Sequence, residues 1–272
     1  MTAAVAATVG SLPDALTSIE QVRGRMAGRR PAVFLDYDGT LTPIVDRPED
    51  AVISDAMRDV VAGLARRCTV CVVSGRDRPV VQELMGLDDL IVAGSHGFDI
   101  WSPDGGVRRD EGARFADLLA DVRGELEAGA AGIGGSLVEP KAASVALHYR
   151  LVPAGDHGRV QDLVDRVLQR HPGELKVTPG KMVHEVQPAF DWDKGKAVLY
   201  LVEALQLGAD VVPLYLGDDV TDEHAFEALH RRGLGFVVSS PTDESESARP
   251  SAADFRLDGV DDVQHFLEML AR

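Results

Sequence analysis

The 272-residue chain predicts an α/β fold, a Rossmann-like parallel sheet with a smaller α+β unit inserted into it. Three observations carry this. Apolar runs without alternation recur near both ends of the chain, separated by stretches of helical period. Several of these runs stop abruptly at acids, hydroxyls or glycines. The middle of the chain instead alternates polar and apolar residues, as the strands of a half-exposed antiparallel sheet do.

The elements follow in order. PAVFLDYD reads as a buried strand ending in acids. Met57, Val60, Val61 and Leu64 repeat at helical spacing behind Ser54, a fitting N-cap. CTVCVVSG and LIVAGSHG are the next buried strands. After the turn-forming SPDGG comes a helix with Phe115, Leu118, Leu119, Val122 and Leu126 on one face. SVALHYR alternates, Val160, Leu163, Val164, Val167 and Leu168 mark another helix, and KMVHEVQP alternates again. Val198, Leu201, Val202 and Leu205 line a helix face, and VVPLYLGDD is a further apolar run ending in acids. Phe226 and Leu229 belong to a helix, GLGFVVSS to a strand, and Val263, Phe266, Leu267 and Leu270 to a last helix. Parallel strands covered on both faces account for the outer segments. The expected organisation is a tail or helix over 1–30, a core over 31–105 and 190–272, and an inserted α+β unit over 106–189.

Composition narrows the function. Hydrophobic residues are 45% of the chain, so it is globular. Lys+Arg is 28 against 44 Asp+Glu, a formal charge of -16. Such a chain repels nucleic acid and anionic membranes, and neither is an expected partner. A phosphorylated substrate needs a metal ion or local basic residues to reverse the sign. No apolar run approaches the ~20 residues of a membrane span. MTAAVAATVGSLP lacks the basic start of a secretory signal and reads as a frayed tail, which makes the chain cytoplasmic. Cys68 and Cys71 form a C-x-x-C, but in a buried strand they read as two small apolar residues on opposite faces rather than a redox pair.

Ligands of an open parallel sheet sit beyond the carboxyl ends of its strands. Asp36 and Asp38, then Ser74-Gly75-Arg76, then Gly94-Ser95-His96-Gly97, then Gly217-Asp218-Asp219 all fall there. Clustered carboxylates suggest a hard cation, Mg²⁺, which takes oxygen ligands and lets the site accept a phosphate dianion. One carboxylate of such a set can attack phosphorus, and a second can protonate the leaving alkoxide and later activate water. Gly39 and Thr40 suit a turn whose N–H groups and hydroxyl hold phosphate oxygens, and Arg76 brings a cation to the same crevice.

Asp36-Tyr-Asp38-Gly39-Thr40-Leu41-Thr42, Ser74, Lys194 in DWDKGKA and Gly217-Asp218-Asp219-Val-Thr221-Asp222-Glu223 resemble, in order, the four motifs of the haloacid-dehalogenase-like phosphatases. The resemblance implies a nucleophile at Asp36, a general acid/base at Asp38, and phosphoryl binding by Ser74 and Lys194. It implies Mg²⁺ on the Asp36 side chain, the Asp38 backbone carbonyl and Asp218. Asp219 is grouped with the metal set, and Asp222 stands beside it with its role unranked.

In the inserted unit, Glu139 and Lys141 precede SVALHYR, His148 and Arg150 lie two apart on one face, and Gly180-Lys181 leads into a strand where Glu185 lies opposite His184 and Val186. Charged donors and acceptors of this kind suit sugar hydroxyls. With YDGTLTPI and YLGDDVTDEHAF they resemble the trehalose-6-phosphate phosphatase family from about Pro31 onward. That family's glucose-holding Glu-x-Lys and Gly-Lys-x-x-x-Glu correspond to Glu139, Lys141 and Glu185, with His148, Arg150 and Lys181 as further candidates. SAADFRL departs from the family's Thr-Ala-x-Tyr-type segment.

The implied activity is Mg²⁺-dependent hydrolysis of trehalose 6-phosphate through an aspartyl-phosphate, with the inserted unit closing on the sugar. Functional coupling to a trehalose-phosphate synthase follows from the same resemblance. Phosphatases of sucrose phosphate or glucosylglycerol phosphate, and a catalytically silent domain that regulates a synthase, are the other readings the sequence leaves open.

Overall fold

The computed structural model describes residues 7–45, 47–180, 182–239 and 244–271. Its elements in chain order are α1 (Ile19–Met26), β1 (Arg30–Leu35), α2 (Asp55–Ala65), β2 (Thr69–Val73), α3 (Arg78–Met85), β3 (Ile91–Gly94), β4 (Asp99–Trp101), β5 (Arg108–Asp110), α4 (Ala116–Ala130), β6 (Leu137–Pro140), β7 (Val145–His148), α5 (His157–Arg170), β8 (Leu175–Gly180), β9 (Val183–Pro188), α6 (Lys194–Ala204), β10 (Val211–Gly217), α7 (Glu223–Leu229), β11 (Leu234–Val238), α8 (Glu244–Ala248), β12 (Phe255–Leu257) and α9 (Val260–Leu270). They form two compact units, residues 1–108 with 193–272, and residues 109–192. Each boundary falls three residues beyond the pattern-based 106 and 189.

The first unit holds strands in the sheet order β12-β11-β10-β1-β2-β3-β4. Every pair from β12 to β3 is parallel, and β4 runs antiparallel to β3. From β1 the chain winds outward one way through β2 and β3. It later returns to β1's other side with β10, so β1 and β10 flank the topological switch point where ligands of such sheets bind.

Side chains alternate across the sheet. Val33, Leu35, Val72, Leu214, Leu216 and Phe236 join a buried layer with Met57, Val61 and Leu64 of α2 and Val263, Phe266 and Leu267 of α9. Phe34, Cys71 and Tyr215 are buried without belonging to that layer. Helix α7, with Ala225 and Phe226 buried, packs on β10 and β11, and α6 packs on β2. The near-continuous apolar strands are thus explained by helices on both faces.

The amino-terminal segment corrects one expectation. Residues 1–6 lie outside the described residues, but the rest of the stretch read as a frayed tail is held. Thr8 bridges Pro250, Val9 donates its N–H to Arg249 O (2.9 Å), and Val9, Leu12, Ala15 and Val22 are buried. Small residues at low density hid an edge that packs against the β12 side.

The second unit is a four-stranded antiparallel sheet, β6-β7-β9-β8, backed by α4 and α5. Val145, Leu147, Val186, Leu175 and the α4/α5 residues Val122, Leu126, Val160 and Val164 form its core. The register puts Glu139, Ala146, Glu185 and Thr178 in one row across the sheet. With Ser144, His148, Gln187 and Lys176 two residues away along the strands, they make its opposite, polar face. At the ends of this unit the Arg109 guanidinium lies 3.8 Å from the centre of the Trp192 ring. Among the described residues no helix is long and apolar enough to cross a membrane.

Val22 is fully buried in the core layer. Val22→Ala is therefore expected to lower the unfolding free energy by roughly 1–3 kcal/mol, read by urea titration. An unchanged midpoint would mean that α1 contributes no packing.

Candidate active site

The switch point brings four polar strand ends together. β1 delivers Asp36 beside β10, with the Asp36 N–H donating to Leu216 O (2.9 Å). β2 ends at Ser74, whose N–H donates to Ala93 O of β3. Each of these residues is the first polar one after an apolar strand, so the strand's burial fixes where its functional group emerges.

Lys194 opens α6 and is almost fully buried. Its Nζ lies 2.9 Å from Asp36 Oδ1 and 2.7 Å from Asp222 Oδ1. Burial disfavours the ammonium, but Asp222 and Asp36 outweigh it and hold the Lys194 pKa above that of an ordinary lysine. Lys196 points elsewhere. Its N–H is capped by Asp193 Oδ1 (2.8 Å) and its Nζ, more exposed, lies 3.6 Å from Asp193. Burial raises the Asp36 carboxyl well above the usual carboxylate range; Lys194 opposes this, while Asp222 and Asp218 add to it.

Asp36, Asp218 and Asp222 are buried, and one carboxylate oxygen from each lies within 4.8 Å of the other two. Three buried acids against one ammonium leave an excess of negative charge, and the donors are all hard oxygens. A divalent hard cation fits that set. The turn glycine makes room for the Asp218 carboxylate: Gly39 has φ +78°, and a Cβ there would stand 2.2 Å from Asp218 Oδ2.

Not every predicted residue is used as expected. Asp219 stands outside the three-acid cluster, because its Oδ1 accepts the Val220 N–H (2.7 Å) at the start of the turn. Asp222 reaches back instead. Its Oδ1 accepts the Tyr215 hydroxyl (2.6 Å) as well as Lys194, and its Oδ2 accepts the Asp219 N–H (2.9 Å). Burial, and then the nearby carboxylates of Asp222 and Asp36, push the Tyr215 pKa well above the usual phenol value.

Arg76 grips Asp38 with both arms, Nε to Oδ2 at 2.7 Å and Nη2 to Oδ1 at 2.6 Å, and donates to Pro48 O. Ser74 Oγ accepts the Arg76 N–H (3.1 Å) and keeps its own proton to donate. Thr40 Oγ1 and Thr42 Oγ1 are buried with no hydrogen-bond partner among the described residues. Sequence reasoning missed Tyr215 and Thr42. A phenol inside an otherwise apolar strand was the available signal for the first.

The second unit gathers its own candidates on the polar face of its sheet. His148 Nε2 donates to Glu139 Oε2 (2.7 Å). Glu185 Oε1 accepts the Ser144 hydroxyl (2.6 Å) and lies 3.4 Å from Lys141 Nζ. Ser144 was not singled out from sequence. The His148 hydrogen bond holds the Glu139 pKa below the ordinary value against the opposing effect of burial, with help from Lys141. Arg150 does not share a strand face with His148, since β7 ends at His148 and Arg150 is exposed in the turn beyond. Lys181 lies outside the described residues. His184 is on the apolar face, stacked on Tyr149 at 4.9 Å.

Two outcomes follow. Gly39→Ala is expected to destabilise the protein by more than the ~1–2 kcal/mol of a left-handed residue, because the new Cβ also meets Asp218. Gly28→Ala, at φ +73° with nothing within 4 Å, gives the conformational cost alone, and equal losses in thermal melts would mean that Asp218 moves away freely. In His148→Ala, the Glu139 carboxyl titration followed by NMR is expected to move to higher pH. The stability that a lowered carboxyl pKa adds is complete above the ordinary carboxylate range and fades as pH falls through the lowered value. An unmoved titration would discount the His148 bond.

A sequence profile described as trehalose-phosphatase matches residues 34–261. The chain is 42% identical over 271 residues to an uncharacterized glycosyl hydrolase of Mycobacterium tuberculosis (strain CDC 1551 / Oshkosh), covering 97% of this chain and 20% of that protein. It thus spans about a fifth of that relative's length. It is 39% identical over 290 residues to a probable trehalose-phosphate phosphatase of Oryza sativa subsp. japonica, covering 95% of this chain and 72% of that one. The C-terminal domain of C. albicans trehalose-6-phosphate phosphatase has the same fold, with a TM-score of 0.78 at 22% identity over 96% of this chain and 98% of the other. The ordered motifs, the profile and the likeness to the rice protein over 95% of this chain agree: this chain belongs to the trehalose-phosphatase family.

Proposed function

We propose that the protein hydrolyses trehalose 6-phosphate to trehalose and phosphate. The observation that carries the reading is the buried set of Asp36, Asp218 and Lys194 at the sheet's switch point, in a chain of the trehalose-phosphatase family. Asp36 and Asp218 would hold Mg²⁺ through their carboxylates, and Asp38 through its backbone carbonyl. Bound there, the ion would neutralise phosphoryl charge and offset the repulsion among the acids.

Lys194 holds Asp36 Oδ1, leaving Oδ2 as the attacking atom. Asp36 bonds to phosphorus as the bond from phosphorus to the sugar 6-oxygen breaks, and protonated Asp38 gives its proton to that oxygen. Arg76 donates to both Asp38 oxygens and so fixes the orientation of that carboxyl. The Ser74 proton and the Lys194 ammonium stabilise the phosphoryl oxygens. Asp38, now ionised, takes a proton from water, which attacks phosphorus, frees phosphate and restores the Asp36 carboxylate.

Glu139, Lys141, His148 and Glu185 are the groups proposed to hold the sugar hydroxyls. Coupling to a trehalose-phosphate synthase, as the source of the substrate, and a cytoplasmic setting belong to the same proposal.

Phosphate release from trehalose 6-phosphate, sucrose 6-phosphate and glucose 6-phosphate, with Mg²⁺ and with a chelator, tests it. A Mg²⁺-dependent preference for the trehalose ester is expected. Asp36→Asn is expected to lose at least roughly a thousandfold in kcat. Glu185→Ala is expected to raise KM for trehalose 6-phosphate while sparing p-nitrophenyl phosphate. Preference for another ester would discard the sugar assignment, and full activity in Asp36→Asn would discard the nucleophile.

A further inference from the structure

Tyr215 opens the segment YLGDDVTDEHAF, and the sequence reading gives it no role. It lies in β10 between Leu214 and Leu216, opposite Phe34 of β1, and is fully buried. Its ring meets Phe226 edge-on at 5.7 Å, a packing that phenylalanine would satisfy equally well. What phenylalanine lacks is the hydroxyl, which donates to Asp222 Oδ1 at 2.6 Å.

Gly217 shares Tyr215's face of β10, two residues on. A Cβ at Gly217 would stand 2.3 Å from Asp222 Cγ. The strand therefore provides a seat for Asp222, with empty space at Gly217 and a hydrogen-bond donor at Tyr215. Seated there, Asp222 has Lys194 and Tyr215 on Oδ1 and the Asp219 N–H on Oδ2. One of its oxygens also lies within 4.8 Å of one oxygen each of Asp36 and Asp218, close enough to be drawn onto a cation instead. Two uses compete for one carboxylate, and the phenol favours one of them.

We infer that Tyr215 is a positioning residue: its hydroxyl keeps Asp222 on Lys194, so that the ammonium faces Asp36 where phosphoryl charge develops. The inference rests on the phosphatase reading above. Tyr215 touches no substrate in this account and acts only through Asp222. A hydrogen bond that orders a transition-state cation affects turnover more than substrate binding.

The test compares Tyr215→Phe, which keeps the ring and removes the hydroxyl, with Phe226→Leu, which disturbs the ring packing and leaves the hydroxyl. Steady-state kinetics, orthovanadate affinity by calorimetry with Mg²⁺ present, and thermal melts are measured for both. In Tyr215→Phe, kcat is expected to fall by about tenfold or more with KM within about twofold, and orthovanadate, an analogue of the transferring phosphoryl group, is expected to bind more weakly. Combining Tyr215→Phe with Asp222→Asn is expected to add little to Asp222→Asn alone. Phe226→Leu is expected to lower the melting temperature with kcat little changed. Unchanged kcat and unchanged vanadate affinity in Tyr215→Phe would overturn the inference. So would parallel losses in both variants that track melting temperature. If the wild-type protein prefers another ester, the comparison is made on that ester, so failure of the sugar assignment and failure of the positioning role are separate results. If it hydrolyses none, vanadate affinity alone decides between them.

Discussion

A single buried ammonium holds the site together. Lys194 stands between Asp36 and Asp222, with Asp218 nearby, and without it three carboxylates would share a nearly dry crevice. Removing one partner from a buried charged set is costly because the remaining charges lose their compensation. The surroundings follow from that constraint. The apolar strands β1 and β10 exclude water, the start of α6 fixes the lysine, and the glycines at 39 and 217 let Asp218 and Asp222 approach the backbone. The same imbalance that makes the cluster expensive makes it receptive to a hard cation and a phosphate.

The second unit solves a different problem. Its sheet is apolar on one face, where α4 and α5 pack, and charged on the other. Its charges are partly or wholly buried, Glu185 among them, and they are paired with one another. Glu139 is held by His148, and Glu185 by Ser144 with Lys141 beside it. Paired acids keep fixed orientations, which suits a surface that recognises hydroxyl groups by direction as well as by charge.

Much of this was legible in the sequence because the strands were apolar throughout. A run such as PAVFL reads as buried, so the acid that ends it emerges at the carboxyl end of the sheet, and the order of the motifs then names the crevice. Asp36, Asp38 and Asp218 were readable in this way, and Lys194 through the family resemblance of its DWDKGKA segment. What was hidden depended on single-residue turn geometry or on long-range pairing. Asp219 and Asp222 differ only in which way a short turn throws them. Arg76 looked like a substrate ligand because its partner, Asp38, is 38 residues away in sequence. Tyr215 was read as one more strand residue, and Arg150 was placed on a strand that stops two residues earlier. The amino-terminal segment, rich in alanine, gave no periodic signal for the packing it makes.

The stacking of Arg109 on Trp192 also has a topological consequence. The first and last residues of an 84-residue excursion (109–192) touch each other. To the rest of the chain, the whole second unit therefore resembles a short loop, and the entropy of closing that loop is largely met within the unit itself. An insertion with coincident ends tolerates changes of length and sequence within it better than one whose ends lie far apart. The acid cluster around Lys194 and the polar face of the second unit's sheet thus belong to separate compact units of one chain.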